Sequence, residues 1–305
     1  SMLRYRPMPA PASAEFFSEA EWIEASRLSL VPYARYVHGI DYFSHQALMA
    51  ACIEQVLDGS LIHPITGRRL YKLVVTGPPG HGKTSVASSH MLPWVLGHNP
   101  RLKTLHWTSS DPLAQDYDID IASTLADNER HRKVFPNCIP DLKKGWSGER
   151  GRYLVGNLGK GPSFQARSTK AKILGTRCDL AVPDDPLDEE TENSPTEKQR
   201  LMDKYDSSLH HRVNKGGNQI GVMHVWSEGD FRDHLIRKWR FDWLNMPSVT
   251  EQQDLDLLSP QDVATWERDY PKAVPAVATM TYPGGHVEAI VTHWNGPQLW
   301  PEWIS

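Results

Sequence analysis

Apolar residues recur along this chain in two alternating rhythms. Ser18 and Glu21 form a capping box ahead of Trp22 and Ile23, which predicts a helix. A second helix is predicted to start near Ser44, with Leu48, Cys52 and Val56 at helical spacing and Asp58-Gly59 closing it. Residues 70–75 (LYKLVV) are a short apolar run bounded by Gly77, Pro78 and Pro79, which predicts a buried strand. A helix over 83–94, stopped by Pro93 and Gly97, and a second buried strand over 104–108 are expected next. They are followed by a helix over 111–127 carrying Leu113, Tyr117, Ile121 and Leu125 on one face. Short strand candidates at 153–155, 164–166 and 171–174 precede an apolar run at 180–182 that leads into Asp184 and Asp185. Ser194, Pro195 and Glu197 supply a complete helix start, before a strand over 219–226 and a helix from Asp230 to about Trp239.

Strand and helix in alternation predict an α/β fold, a mostly parallel sheet with helices on both faces. The expected organisation is an N-terminal helical arm over 1–40, a core over 41–245, and a small C-terminal lid subdomain or linker over 246–305. That last stretch is rich in Pro and Trp, including Trp266, Trp300 and Trp303, and its periodicity is weak. No internal repeat is present, which excludes a solenoid.

Composition narrows the classes. With 39% hydrophobic and 23% charged residues among 305, the chain reads as folded rather than disordered. Its apolar runs stay well below the roughly 18 residues of a membrane span, and no secretory leader is recognisable, so neither membrane insertion nor secretion is expected. Cys52, Cys138 and Cys178 have no metal-binding spacing and read as reduced thiols of a cytosolic protein. The net charge of −4 hides an asymmetry. Residues 130–177 carry 12 Lys or Arg against Asp141 and Glu149, about +10, whereas 178–206 hold ten acids against three bases, about −7. Trp146, Tyr153 and Phe164 interleave the basic stretch, a pattern suited to nucleic acid as well as to a solvated surface.

The chemistry concentrates between residues 77 and 85. Gly77, Pro78, Pro79, Gly80, His81, Gly82, Lys83 and Thr84 match the phosphate-loop pattern G-x-x-x-x-G-K-[ST] at every fixed position, with a strand before and a helix after. Glycines let backbone N–H groups approach phosphate oxygens, and the following helix N-terminus, with Ser85, adds a positive dipole end. Lys83 is expected to reach the β- and γ-phosphates of ATP, and Thr84 to ligate Mg²⁺. A carboxylate-bearing strand is also needed, and 179–185 (DLAVPDD) supplies it. Asp184 is the metal-side candidate and Asp185 the candidate for orienting or deprotonating water; alternatively the Asp-Asp-Pro run only opens a loop. Tyr42 and Gln46 lie about 30 residues before the loop, where they could stack on and hydrogen-bond a purine, or serve merely as surface residues.

Taken in order, these segments resemble the large terminase subunit of tailed bacteriophages, specifically its N-terminal DNA-packaging ATPase domain. The resemblance rests on 43–46, on Pro78 to Lys83, on Leu92-Pro93-Trp94 with Leu96-Gly97, and on Val134-Phe135-Pro136. It continues through 175–180 into Asp184-Asp185-Pro186, Asn193-Ser194 and Thr196, and ends at Leu299-Trp300-Pro301-Glu302, covering about residues 40–302. It implies a P-loop NTPase fold of the ASCE type and an ATP-driven, Mg²⁺-dependent motor for double-stranded DNA. It further implies a homo-oligomeric ring, a pentamer when assembled and a monomer in isolation, working with a portal protein and a small terminase subunit. The implied location is the procapsid portal vertex in the cytoplasm of an infected bacterium. The nuclease domain of such relatives would begin where this sequence stops, so no nuclease activity is expected of it.

Two positions depart from the family pattern or stay open. His224 stands where the coupling segment often ends in a small hydroxyl residue, and could sense the γ-phosphate or simply cap a strand. Arg177, Arg150 and Arg152 are candidates for an arginine finger, or for contacts with a phosphate backbone. Other classes share parts of the pattern: a nucleotide-gated assembly module with negligible hydrolysis, a helicase or recombination ATPase, and, least suited to the paired acids, a small-molecule kinase.

Overall fold

The computed structural model describes residues 18–173, 177–247, 257 and 274–294. In chain order its helices are α1 (Glu19–Leu28), α2 (Leu30–Tyr33), α3 (Ser44–Asp58), α4 (Met91–His98), α5 (Asp111–Asp127), α6 (Glu129–Val134), α7 (Glu189–Glu192), α8 (Pro195–Lys204) and α9 (Phe231–Trp239). The strands are β1 (Lys72–Thr76), β2 (Thr104–Thr108), β3 (Trp146–Ser147), β4 (Gly151–Arg152), β5 (Phe164–Ser168), β6 (Cys178–Pro183), β7 (Val213–Met223), β8 (Asp242–Asn245), β9 (Val274–Thr281) and β10 (Val287–Trp294). The chain is therefore α/β, and it divides into two compact units. The first draws its described residues from Tyr42–Lys83 and from Met223 onward, the second from Thr84–Val222 and the helical segment ending at Asp41.

In the first unit the strand order is β10-β9-β8-β1. β1 and β8 are parallel, with Leu73 opposite Asp242 and Thr76 opposite Asn245, while β8, β9 and β10 are antiparallel. Four of the five β1 residues are buried, as expected of a parallel strand covered on both sides. The β9–β10 hairpin turns at Pro283-Gly284-Gly285, where both glycines have positive φ. The weak periodicity of the last 60 residues gave no hint of these two strands, although the Pro-Gly-Gly turn between apolar runs is a hairpin signal. Trp266, Trp300, Trp303 and the 299–302 segment lie outside the described residues.

The second unit orders its strands β7-β6-β2-β5-β4-β3. β7, β6, β2 and β5 run parallel, with His106 of β2 opposite Val182 of β6 and opposite Ala166 of β5. All five residues of β2 are buried. A polar His106 at 0% exposure inside this strand must find a hydrogen-bond partner, because a buried unpaired polar group costs about 1–3 kcal/mol.

Four expectations change in this unit. Pro93 does not stop the helix that follows Lys83: a π-helical segment, Ser85–His90, runs into α4, and Pro93 is the third residue of α4. The backbone ahead of Met91 is already helical, so Pro93 withholds a donor from the π-helical turn before it and the helix continues past the proline all the same. Gly97 is not a stop either, since a Cβ there would overlap the Phe135 ring; it is the glycine that lets α4 approach Phe135. Leu113 is exposed on α5, and burial falls on Ala114, Asp118, Ile121, Ala122 and Leu125. Residues 153–155 contribute only the isolated Pro140–Leu154 bridge, and 171–173 form no strand.

Candidate functional site

Within the first unit, β1 ends at Thr76, whose hydroxyl accepts from Trp243 Nε1 at 2.7 Å and donates to Asn245 Oδ1 at 2.9 Å. The chain then turns through Gly77–Gly82, with left-handed φ at Gly80 (75°) and Gly82 (74°). Lys83 is 4% exposed and curls back, its Nζ donating to the carbonyls of Gly77 at 2.8 Å and Pro78 at 2.9 Å. The loop is thus wrapped around its own ammonium. His81 sits at the rim with Nδ1 2.7 Å from the Pro79 carbonyl.

Gln46 belongs to this loop's surroundings. Its Oε1 accepts from the Phe43 N–H at 2.9 Å, capping α3, and its amide lies where a Cβ on Gly82 would go. The neighbouring His45 reaches the His81 carbonyl with Nε2 at 3.2 Å, and burial pushes its pKa down to about 4. Being neutral, this ring donates through Nε2. Tyr42 is half-buried, and burial, reinforced by Glu54, raises its phenol well above the ordinary value. Gly82→Ala is expected to destabilise the chain by about 1–2 kcal/mol, since an L-residue here meets both left-handed strain and the Gln46 amide. Thermal unfolding checks this, and an unchanged midpoint refutes it.

An open hollow of about 560 Å³ adjoins the loop in the same unit, lined by Gly77, Pro78, Pro79, His224, Val225, Trp226 and residues 245–247. His224 lies just beyond the end of β7, half-buried, its ring 6.3 Å from that of Trp226.

Thr84 belongs to the second unit. Its Oγ1 donates to Asp184 Oδ1 at 2.8 Å. Asp184 follows the last residue of β6 and is 2% exposed; its other oxygen, Oδ2, accepts from Ser88 Oγ at 2.7 Å and pairs with His106 Nε2 at 3.0 Å. Tyr117 packs its ring edge-on against His106, 4.7 Å between centroids. Burial, with Asp184 adding, pushes the Tyr117 pKa up to about 12. Ser85 is half-buried at the start of the helix. Asp185 is one of two described non-glycine residues with positive φ, at 39°, and its N–H bonds to the Val222 carbonyl at 2.9 Å. Backbone strain of this kind persists only where the surroundings enforce it.

Thr84 and Asp184, 100 positions apart in sequence, are therefore in direct contact, with Asp185 beside them along the chain. Ser88, His106 and Tyr117 complete the group and escaped sequence reading. His106 carried a signal, a lone polar residue in an apolar strand; Tyr117 read as part of an apolar helix face, and Ser88 had none. The arginine candidates diverge. Arg152 is committed to the buried carboxylate of Asp118, its Nε 3.2 Å from Oδ2, and lies 5.6 Å from the Trp146 ring centroid. Arg150 and Arg177 are exposed, and residues 174–176 before Arg177 lie outside the described residues.

The donor set of Thr84 hydroxyl and Asp184 carboxylate suits Mg²⁺, a hard cation that usually takes one or two carboxylates and completes its shell with water and phosphate oxygens. Among the described residues no group of three or more His, Cys, Asp or Glu forms a metal cage, and no helix is long and apolar enough to cross a membrane. No protein-family model matches the chain, and none of the curated proteins does.

Proposed function

We propose that this chain is a P-loop ATPase, an Mg²⁺-dependent ATP hydrolase serving as the motor domain of a phage large terminase that drives double-stranded DNA into a procapsid. The observation that carries the nucleotide half of this reading is the Thr84–Asp184 hydrogen bond at 2.8 Å. It joins the hydroxyl at the end of a phosphate-loop sequence to a carboxylate at a strand tip, the pair that holds the nucleotide's metal in such enzymes.

In this reading the backbone N–H groups of residues 77–84 and the Lys83 ammonium bind the β- and γ-phosphates, which must displace Lys83 from the Gly77 and Pro78 carbonyls. Thr84 and Asp184 hold Mg²⁺, which neutralises charge on the phosphate oxygens. Asp185, fixed by its backbone bond to Val222, orients the attacking water and takes its proton. Gln46 and Tyr42 face the base, His224 senses the γ-phosphate, and Arg177 is the candidate finger toward a neighbouring copy. The DNA half rests on exposed Lys143, Lys144, Arg150, Lys160, Lys170, Lys172 and Arg177 in the basic stretch, together with the terminase-like order of segments. The ring, portal protein, small subunit and portal-vertex location follow from that resemblance.

The test is ATP hydrolysis by the purified chain with Mg²⁺ or EDTA, with and without double-stranded DNA, across a salt series. Turnover that needs Mg²⁺ and rises with DNA, more weakly as salt increases, supports the proposal. ATP binding without turnover in any condition identifies a gated binding module instead. Absence of ATP binding overturns the nucleotide reading altogether.

A further inference from the structure

Asp184 receives more hydrogen bonds than its pairing with Thr84 requires, and they are not distributed evenly. Oδ1 takes the Thr84 hydroxyl alone among the described side chains, whereas Oδ2 takes both Ser88 at 2.7 Å and His106 at 3.0 Å. Resting on the nucleotide reading, we propose that His106 and Ser88 are positioning residues: together they pin Oδ2, so that Oδ1 is the oxygen presented to Thr84 and to a nucleotide-bound divalent cation.

The geometry holds each donor in place. His106 is fully buried in the middle of β2, and its backbone is locked on both sides by the parallel ladders to β6 and β5. Against a carboxylate oxygen that also accepts from Ser88, His106 Nε2 is the donor, and Nδ1 has no partner among the described residues. The His106 ring meets the Tyr117 ring edge-on at 4.7 Å, which holds the imidazole from the α5 side. A chain of contacts therefore runs from Thr84 through Asp184 and His106 to Tyr117. Ser88 comes from the π-helical segment one turn after Thr84, so the segment that carries the hydroxyl also anchors the far side of the carboxylate. With both carboxylate oxygens oriented before the cation arrives, binding need not bear the entropy of ordering them.

The experiment uses Mn²⁺ as the probe, titrated by EPR into the full chain with ATPγS, alongside ATPγS binding in EDTA and thermal unfolding. His106→Phe keeps a ring against Tyr117 but removes the donor. It is expected to weaken Mn²⁺ binding in the ATPγS complex roughly 10–100-fold, the usual effect of losing an outer partner of a metal ligand. ATPγS affinity in EDTA should stay within about threefold, and His106→Gln, whose amide can still donate to Oδ2, should recover part of the loss. Unchanged Mn²⁺ affinity in a folded His106→Phe overturns the proposal while leaving the nucleotide reading intact. If His106→Phe does not fold, Ser88→Ala decides by the same titration. Failure of the unmodified chain to bind ATPγS at all refutes both the nucleotide reading and the positioning role built on it.

Discussion

Asp185→Ala and Asp185→Gly are both expected to lower ATP turnover by at least about 100-fold, the lower end of what a positioned base contributes. Nucleotide affinity in the two variants should stay within a few-fold, because Asp184 and Thr84 keep their own contact. Lys83→Ala should behave differently and lose affinity as well, since its ammonium is the cation at the centre of the loop. Stability separates the Asp185 pair further. At φ 39° an alanine meets left-handed strain that glycine does not, so the Gly variant should exceed the Ala variant by about 1 kcal/mol. Steady-state turnover, equilibrium ATPγS binding and thermal unfolding check the three parts. Unchanged turnover removes Asp185 from the reaction; loss of binding in both variants makes it a ligand-holding group instead.

The strained backbone at Asp185 illustrates where sequence reading reaches and where it stops. The apolar run at 180–182 made the strand legible, and two acids just beyond it made a site plausible. Nothing in that run announces a left-handed residue, because φ at Asp185 is set by its pairing to Val222 on β7, a partner 37 positions away. Likewise the helix after Lys83 was legible, but its passage through Pro93 was not: a π-helical segment leads straight into α4, and the helix carries on beyond the proline. Glycine at 97 read as punctuation and serves packing against Phe135. Local rules assign such residues their commonest role, and tertiary contacts assign the actual one.

Site residues follow the same division. Those belonging to a contiguous motif, from Gly77 to Thr84, could be named from spacing alone. The pairing of Thr84 with Asp184 was inferred from the requirement for a second carboxylate, and the strand order of the second unit places Asp184 there by setting β6 between β2 and β7. Ser88, His106 and Tyr117 converge from a π-helical segment, a strand and a helix, with no shared sequence pattern to connect them. Only the buried polarity of His106 within TLHWT is visible in advance, and it signals the need for a partner without saying which one.

Acidification from pH 7 toward 5 is expected to destabilise the fold steeply, through histidines that burial holds neutral. In the second unit the His38 and His90 rings lie 4.4 Å apart at a 30° tilt, and His131 is joined to the Tyr33 hydroxyl at 2.8 Å. His90 is 3% exposed and His131 is fully buried. Burial pushes His38 down to about 4 and His90 and His131 to about 3, and a proton on His38 would repel one on either of the others. His45 of the first unit, at about 4, behaves alike. The unfolded chain protonates such rings below about 6.5, whereas the folded chain keeps them neutral, so their stabilisation is present above that pH and is lost as pH falls. Asp242 opposes them. Burial beside the partly compensating Arg68 raises its carboxyl to about 7, so the folded state holds a proton there that the unfolded state has released. Its contribution is present at low pH and lost as pH rises through about 7. Near pH 6 the four rings outweigh this one group: the five together take up about two protons on unfolding, about 2.7 kcal/mol per pH unit. His63, His81 and His98, also lowered by burial, act in the same direction. Denaturant unfolding at intervals between pH 5 and 7.5 measures the slope, and Asp242→Asn should steepen it by about one proton near pH 6. A stability that is flat or rising on acidification across this range would mean that these rings do not remain neutral in the folded chain.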